Sequence, residues 1–289
     1  MLTENSILHV EQDVGKAYAL DRIRGYYNDL TGKVIKDKDI IEIKIPLFQT
    51  PHNDRVEFPI TIFQYGLGAY DLYILEKKDI YLEKFKVCVK WALENQKEDG
   101  SWNAFYFIYP DAPYSCMAQG EGASLLIRAY VAFGDDVYLK AAEKAINFMI
   151  TPIEQGGTAR YTANEITFLE CTDKPEVLNG WIFSLFGLFD YFIISQNNEI
   201  KDIFDRSVST LINHLNEFDT GYWSKYDNGK MIASPFYHKL HISLLKVIYK
   251  MTGEKVFMEF SEKWTNYSNR LINRTRAFIT KAFQKVLEK

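Results

Sequence analysis

Tyr226 and Tyr237 lie eleven residues apart in "TGYWSKYDNGKMIASPFYHKLHI", a polar stretch between two helical patterns. Phenols titrate near about pH 10, so they are poor bases unless the phenolate is stabilised. They suit a reaction in which a reluctant C–H proton is removed and then redelivered. Two phenols on opposite faces of one carbon would invert that carbon. A second stretch, "LECTDKPEVLNGW", sets Glu170 beside Cys171 and ends any helix at Pro175. A thiolate there is a possible nucleophile or base, and a buried thiol filling space is the alternative.

Other residues carry weaker signals. Glu121, Glu170, Asp219 and Asp227 contain the makings of a paired-carboxylate glycosidase site, but sequence does not give their separation. His238 and His241 in "YHKLH" share a helix face, yet Lys239 and Leu240 stand where a zinc motif needs a Glu. Substrate hydrogen bonding or helix packing is therefore expected of them, and no metal. "GLGAYD" has Gly66 and Gly68 but no third glycine and no preceding strand, so it reads as close helix packing. No phosphate-cradling loop occurs elsewhere, and no cofactor is expected.

These residues need elements to position them, and the strongest structural signal is an internal repeat. Ser-Leu pairs begin at Ser124, Ser184 and Ser243, 60 and 59 residues apart, and Ala-Tyr pairs at 69 and 129 follow the same period. Each unit reads as a helix, a short polar turn and a second helix, followed by a long loop. Four units predict an all-α fold, an incomplete α/α toroid of repeated helical hairpins. Its long loops, residues 96–121, 151–179 and 218–240, should gather at one end and line a cleft. Three segments are expected: an N-terminal arm at 1–57 with short strands, placed by the alternation at Ile41 to Leu47; the toroid at 58–269; and a basic amphipathic helix at 270–289. That last helix carries six Lys or Arg against one Glu, with a stripe at Leu271, Thr275, Phe278, Ala282 and Val286. It fits either a closing helix of the toroid or a helix lying on anionic lipid. "ENQKEDGSW" resembles the Gln-Trp motif that caps helix ends in terpene-cyclase toroids, a structural role for Gln96 and Trp102.

Composition narrows the function. A hydrophobic share of 47% in 289 residues supplies a sizeable core. Nineteen Tyr and twenty Phe suit both that core and sugar-binding clefts. A net charge of −4 argues against nucleic acid as a partner. Three scattered cysteines fit a reducing compartment. The first residues carry early acids and no apolar run, so no signal peptide is expected, and no window reaches the roughly 20 apolar residues of a membrane span.

Read together, "GYYNDL" (25–30), "FPITIFQYGL" (58–67), "YSCMAQGEGASLLIRAY" (114–130), "VLNGWIFSLFGLFDY" (177–191), "FDTGYWSKYD" (218–227) and "YHKLHI" (237–242) resemble the C-terminal domain of the D-glucuronyl C5-epimerases. The likeness runs from about residue 25 to 267 and is closest to short microbial relatives without the additional β domain of vertebrate members. It implies an α/α toroid that inverts C5 of hexuronic acid residues, glucuronate to iduronate, in a heparosan-like polysaccharide. It implies Tyr226, Tyr237 and Glu170 as site residues. Cys171 stands where the family places a catalytic tyrosine, and Gly229 where vertebrate members carry a basic residue. In and around the matched segments, Tyr26, Tyr27, Gln64, Tyr65, Trp102, Tyr114, Gln119, Asn179, His238 and His241 are the substrate-binding candidates. Arg22, Arg24, Arg128, Arg160, Lys225 and Lys239 are the cations available to a groove for an acidic polymer.

The expected partner is thus an acidic polysaccharide or lipid-linked oligosaccharide. A homodimer and peripheral membrane contact through residues 270–289 are further expectations, at the cytoplasmic face of a membrane. The alternatives are a lyase or glycosidase on the same scaffold, or a glycan-binding homologue that has lost the chemistry.

Overall fold

The computed structural model describes residues 12–36, 42–50 and 52–287. The arm enters as irregular chain and makes one short helix, α1 (Thr31–Ile35). Ile41 lies outside the described residues, and 42–47 form no strand. The strands of the arm fall further on, β1 (Phe48–Gln49) pairing antiparallel with β2 (Arg55–Val56). Pro46 explains the shift, since it has no N–H to give a ladder and interrupts the alternation.

Four helical hairpins follow. They are α2 (Pro59–Glu76) with α3 (Asp79–Asn95), and α4 (Cys116–Phe133) with α5 (Asp136–Ile150). Between the second and third lies a small hairpin, β3 (Ala159–Tyr161) and β4 (Ile166–Phe168). Then come α6 (Leu178–Ser195) with α7 (Asn198–His214), and α8 (Pro235–Thr252) with α9 (Lys255–Asn269). A last helix, α10 (Leu271–Leu287), closes the described chain.

The repeat predicted from the Ser-Leu period is physically the same turn made four times. Each hairpin bends at one left-handed residue: Lys77, Gly134, Gln196 and Gly253, with φ of 57°, 73°, 52° and 76°. An extended residue follows and starts the outer helix; Asp135 and Asn197 cap theirs by accepting from Val137 N and Glu199 N. Pro59 and Pro235 occupy the first turn of α2 and α8, where no intrahelical N–H is needed.

The first helix of each hairpin is inner and the second outer. α6 is apolar enough over its 18 residues to resemble a membrane span, yet it is mostly buried and forms the ring's interior wall. The outer helices α5, α7 and α9 bury one face only. α4 and α6 approach so closely that a Cβ on Gly187 would strike the Gly120 backbone. Gly66 packs on Leu125 and Cys88, which gives "GLGAYD" the packing role expected of it.

All four inner helices begin at the end where the long loops lie. The loops are tied to one another there: Val177 bridges Asp227, Leu178 N donates to Tyr226 O, and Cys116 N donates to Leu169 O. The opposite end is crossed by the arm. Tyr26 N donates to Asp71 of α2, Tyr27 Oη donates to Asp190 of α6 at 2.7 Å, and Lys250 of α8 donates to Tyr18. The arm therefore spans the gap between the first and last hairpins and plugs the ring's interior.

Candidate active site

The loop-bearing mouth collects side chains from four elements. Glu170 arrives at the end of the β3–β4 hairpin and lies so close to Gly180 of α6 that a Cβ there would meet Glu170 Oε2 at 2.6 Å. Its carboxyl is 8% exposed, and Oε2 has no partner within the protein. Burial alone pushes its pKa up to about 7. A carboxyl of this kind is half-ionised near neutrality, the state a general base or acid needs.

Tyr226 comes from the loop after α7 and Tyr237 from the first turn of α8. Their rings stand edge to face with centroids 4.8 Å apart. Burial, then the nearby Glu170 charge, holds both phenols well above their usual range. They are therefore proton donors at neutral pH. The sequence reading expected phenols on opposite faces of one carbon. Rings this close leave no room between them for a sugar ring.

Glu121 on α4 is a second buried carboxyl in reach of the first. Gln64 Nε2 donates to its Oε1 at 2.8 Å, and Oε2 is unpartnered. Burial raises it to about 8, Lys33 opposes that rise and Glu170 adds to it. Lys33 itself, half-buried on α1, is lowered to about 8 by loss of water around its ammonium. The Tyr26 hydroxyl, buried and unpartnered, feels the same Glu121 charge. Asn179 Oδ1 and His241 Nε2 are also buried without partners, while Asn179 Nδ2 contacts Met117 Sδ at 3.7 Å. His241 Nδ1 meets Ser224 Oγ, and burial lowers the imidazole to about 3, so it stays neutral.

Other sequence candidates hold the fold. Tyr27 completes a buried network in which Arg128 donates to Asp190 at 2.6 Å and to Gly25 O at 2.9 Å. Arg128 is thereby removed from the groove cations. Trp102 donates from Nε1 to Ala92 O, and Gln119 accepts from Trp102 N while donating to Gly100 O. Gln96 ties Gly100 O to Ala141 O, the structural role read from its motif. His238 is bonded through Nδ1 to Ser224 and through Nε2 to Trp264 O, with Trp223 stacked on its ring at 3.6 Å. Of the substrate-binding candidates, Tyr27, Trp102, Gln119 and His238 thus spend their polar groups on bonds within the protein. Tyr65 accepts from Lys84 at 2.8 Å, which anchors the arm through Glu42 O. Tyr114 accepts from Lys97 on the surface side and packs on Phe148. Arg160 pairs with Glu176, Arg22 with Asp21, and Asp219 with Lys263. Among the described residues no group of three His, Cys, Asp or Glu is placed to hold a metal ion.

Cys171 is 9% exposed, and burial followed by the Glu170 charge drives its thiol far up. It is a thiol, not a thiolate, at neutral pH. Beside it stands a residue the sequence reading missed. Tyr109, from the loop before α4, is raised by burial, feels the nearby Glu170 charge, and carries Lys174 Nζ 5.0 Å over its ring. Lys33 was missed as well. Neither belongs to a motif, and only the convergence of arm and loops brings them here.

A mouth built at one end of a ring of helical hairpins, lined by phenols and carboxyls, defines a helical-toroid protein with acid–base capability. The chain belongs to the D-glucuronyl C5-epimerase C-terminal family, whose model matches residues 70–266. It is 28% identical over 224 residues to the D-glucuronyl C5-epimerase of Caenorhabditis elegans, covering 68% of this chain and 36% of that protein. An uncharacterised protein of Methanocaldococcus jannaschii is 28% identical over 145 residues, 48% of this chain and 47% of that one. The chain thus spans about a third to a half of the length of these relatives. A solved structure titled with UGL and the sugar dGlcA-Glc-Rha-Glc superposes with a TM-score of 0.49 at 14% identity, over 72% of this chain and 61% of that one.

Proposed function

We propose that the protein inverts C5 of hexuronic acid residues within a polysaccharide. The observation that carries this is the convergence of Glu170, titrating near neutrality, with the edge-to-face pair of Tyr226 and Tyr237. The C5 proton is α to a carboxylate, and its removal leaves a planar enolate-like species. Reprotonation from the other side inverts the centre. Because the two phenols share one side, the second side falls to Glu170. Ionised Glu170 takes the proton in one direction, and a phenol of the pair delivers one from opposite it. In the reverse direction the roles exchange.

The intermediate gathers negative charge on the sugar carboxylate. Lys33, together with a protonated Glu121 able to donate from Oε2, supplies what that charge needs. Glycan incubated with the protein in deuterated water should gain deuterium at C5. Absence of label in every glucuronate-containing polymer tried would remove this reading.

The one-sided phenol pair favours a second reading, β-elimination. Ionised Glu170 takes the C5 proton, the C4–O bond breaks as the 4,5-double bond forms, and a phenol protonates the departing oxygen. Ultraviolet absorbance from a new 4,5-double bond, with chain shortening, separates it from epimerisation.

A further inference from the structure

In an ordinary surface helix the apolar stripe faces the protein and the charged side faces water. α10 is mounted the other way round. Its seam against the body is mostly polar: Asn273, Ala277, Thr280, Lys281, Ala282, Gln284 and Lys285 are its half-buried or buried positions, with Ala277 at 2% exposure. Gln284 holds the seam, accepting from Ile232 N at 3.1 Å and donating to Lys230 O at 2.6 Å. Thr280 meets the Tyr222 hydroxyl, and the Arg276 guanidinium lies 3.9 Å over the Tyr222 ring.

The side turned outward is apolar along its length. Ile272, Ile279, Phe283 and Val286 are 77%, 49%, 67% and 71% exposed. At 100° per residue these four fall within one arc opposite Ala277. Leu271 and Phe278 border it, 75% and 44% exposed. Residues 270–287 carry Arg270, Arg274, Arg276, Lys281 and Lys285 and no acid, in a chain whose net charge is −4. Arg274 and Lys285 lie on one flank of the apolar arc and Arg276 on the other.

We infer that α10 docks the protein on an anionic lipid surface, with Ile272, Ile279, Phe283 and Val286 entering the acyl boundary and the flanking arginines and lysines meeting phosphate headgroups. Three features select this occupant. The apolar arc runs straight along a helix, so it fits a plane and not a pocket. The cations border that arc on both sides, as headgroup contact requires. A second copy meeting this face about a two-fold axis would bring like charges together on both flanks, which disfavours a symmetric dimer. Of the sequence stripe, Leu271, Thr275, Phe278 and Val286 are exposed and Ala282 is half-buried.

Docking has a geometric consequence. Gln284 grips residues 230–232, and Met231 O accepts from Tyr226 N at 2.7 Å. The rim of the mouth that carries Tyr226 is therefore held at the lipid surface, where a lipid-linked glycan would be presented.

The test is sedimentation of the full chain with phosphatidylcholine vesicles, with and without phosphatidylglycerol. The wild-type protein should bind the anionic vesicles, lose that binding in high salt, and ignore pure phosphatidylcholine. The double variant Ile279→Ser/Phe283→Ser should lose roughly tenfold or more in partitioning. Arg274→Gln/Lys285→Gln should weaken binding and flatten its salt dependence. Arg274, Ile279 and Phe283 are exposed and Lys285 is half-buried, so circular dichroism and melting should be unchanged, and that control separates lost binding from lost fold. The inference fails if anionic vesicles are not bound, or if binding survives the Ile279/Phe283 change. It fails equally if light scattering shows a dimer that this change dissolves, with no vesicle binding.

Discussion

The ring of Tyr237 meets the ring of Tyr226 edge to face at 4.8 Å, across a helix start and a loop end. In the proposed mechanism the two phenols form a couple on one side of the sugar. If the couple delivers the proton opposite Glu170, either Tyr226→Phe or Tyr237→Phe should lower C5 deuterium exchange about 10²-fold or more. The double variant should be little worse than the worse single, because the residues act as a unit. Losses that simply multiply would indicate phenols working on separate faces.

Glu170 should govern the pH dependence. As the base it must be ionised, so exchange should climb as pH passes about 7. Stability should move the opposite way. Its folded pKa is raised above the unfolded value, so its contribution is complete below about pH 4.3 and is lost as pH rises through about 7. Glu170→Gln should therefore abolish exchange, and should melt progressively higher relative to wild type between about pH 5 and pH 8. An unchanged melting difference across that range would show that Glu170 is solvated.

Tyr109 stands near Cys171, with Lys174 of the same loop over its ring. If its phenol takes part from the neighbouring loop, Tyr109→Phe should cut exchange more than about tenfold. Tyr106→Phe, on the exposed side of the same loop, should leave it unchanged. Cys171→Ser should change little, since the thiol is held protonated. Strong loss in the serine variant alone would return the chemistry to Cys171.

The plug at the far end rests on the Arg128–Asp190 pair, both side chains almost fully buried. Asp190→Asn leaves a buried guanidinium without its counter-charge and should cost about 3–5 kcal/mol in urea unfolding. Tyr27→Phe removes one of the bonds to the same carboxylate and should cost about 1–2 kcal/mol.

Two of the four hairpin turns place a non-glycine residue in left-handed backbone, Lys77 and Gln196. Gly134 and Gly253 show what the equivalent site prefers. Gln196→Gly should raise stability by about 0.5–1 kcal/mol, the relief of steric strain outweighing the added freedom of the unfolded chain.

The hairpins were legible because the same sterics recur every sixty residues, and the period of Ser124, Ser184 and Ser243 records them. Tyr226, Tyr237 and Glu170 were legible through segments resembling a known family. What sequence hid was direction. Tyr27, His238, Gln119 and Trp102 look like sugar ligands by type, and only their internal partners reveal that they bind the fold together. The α10 stripe suits two orientations equally, and the burial of Ala277 opposite it decides between them. Lys33 and Tyr109 reach the mouth from segments far apart in the chain, so no local pattern marks them.

The shared starting end of α2, α4, α6 and α8 has an electrical consequence. Each helix carries roughly half a positive elementary charge at its first turn, from aligned peptide groups. Four such ends around one mouth present a fixed positive field that belongs to no side chain. A chain with a net charge of −4 thus has a positive field at its mouth even though Arg128 is spent on Asp190 at the opposite end. The same field would favour negative charge as it builds on a bound carboxylate, and salt would screen it least where the mouth is deepest.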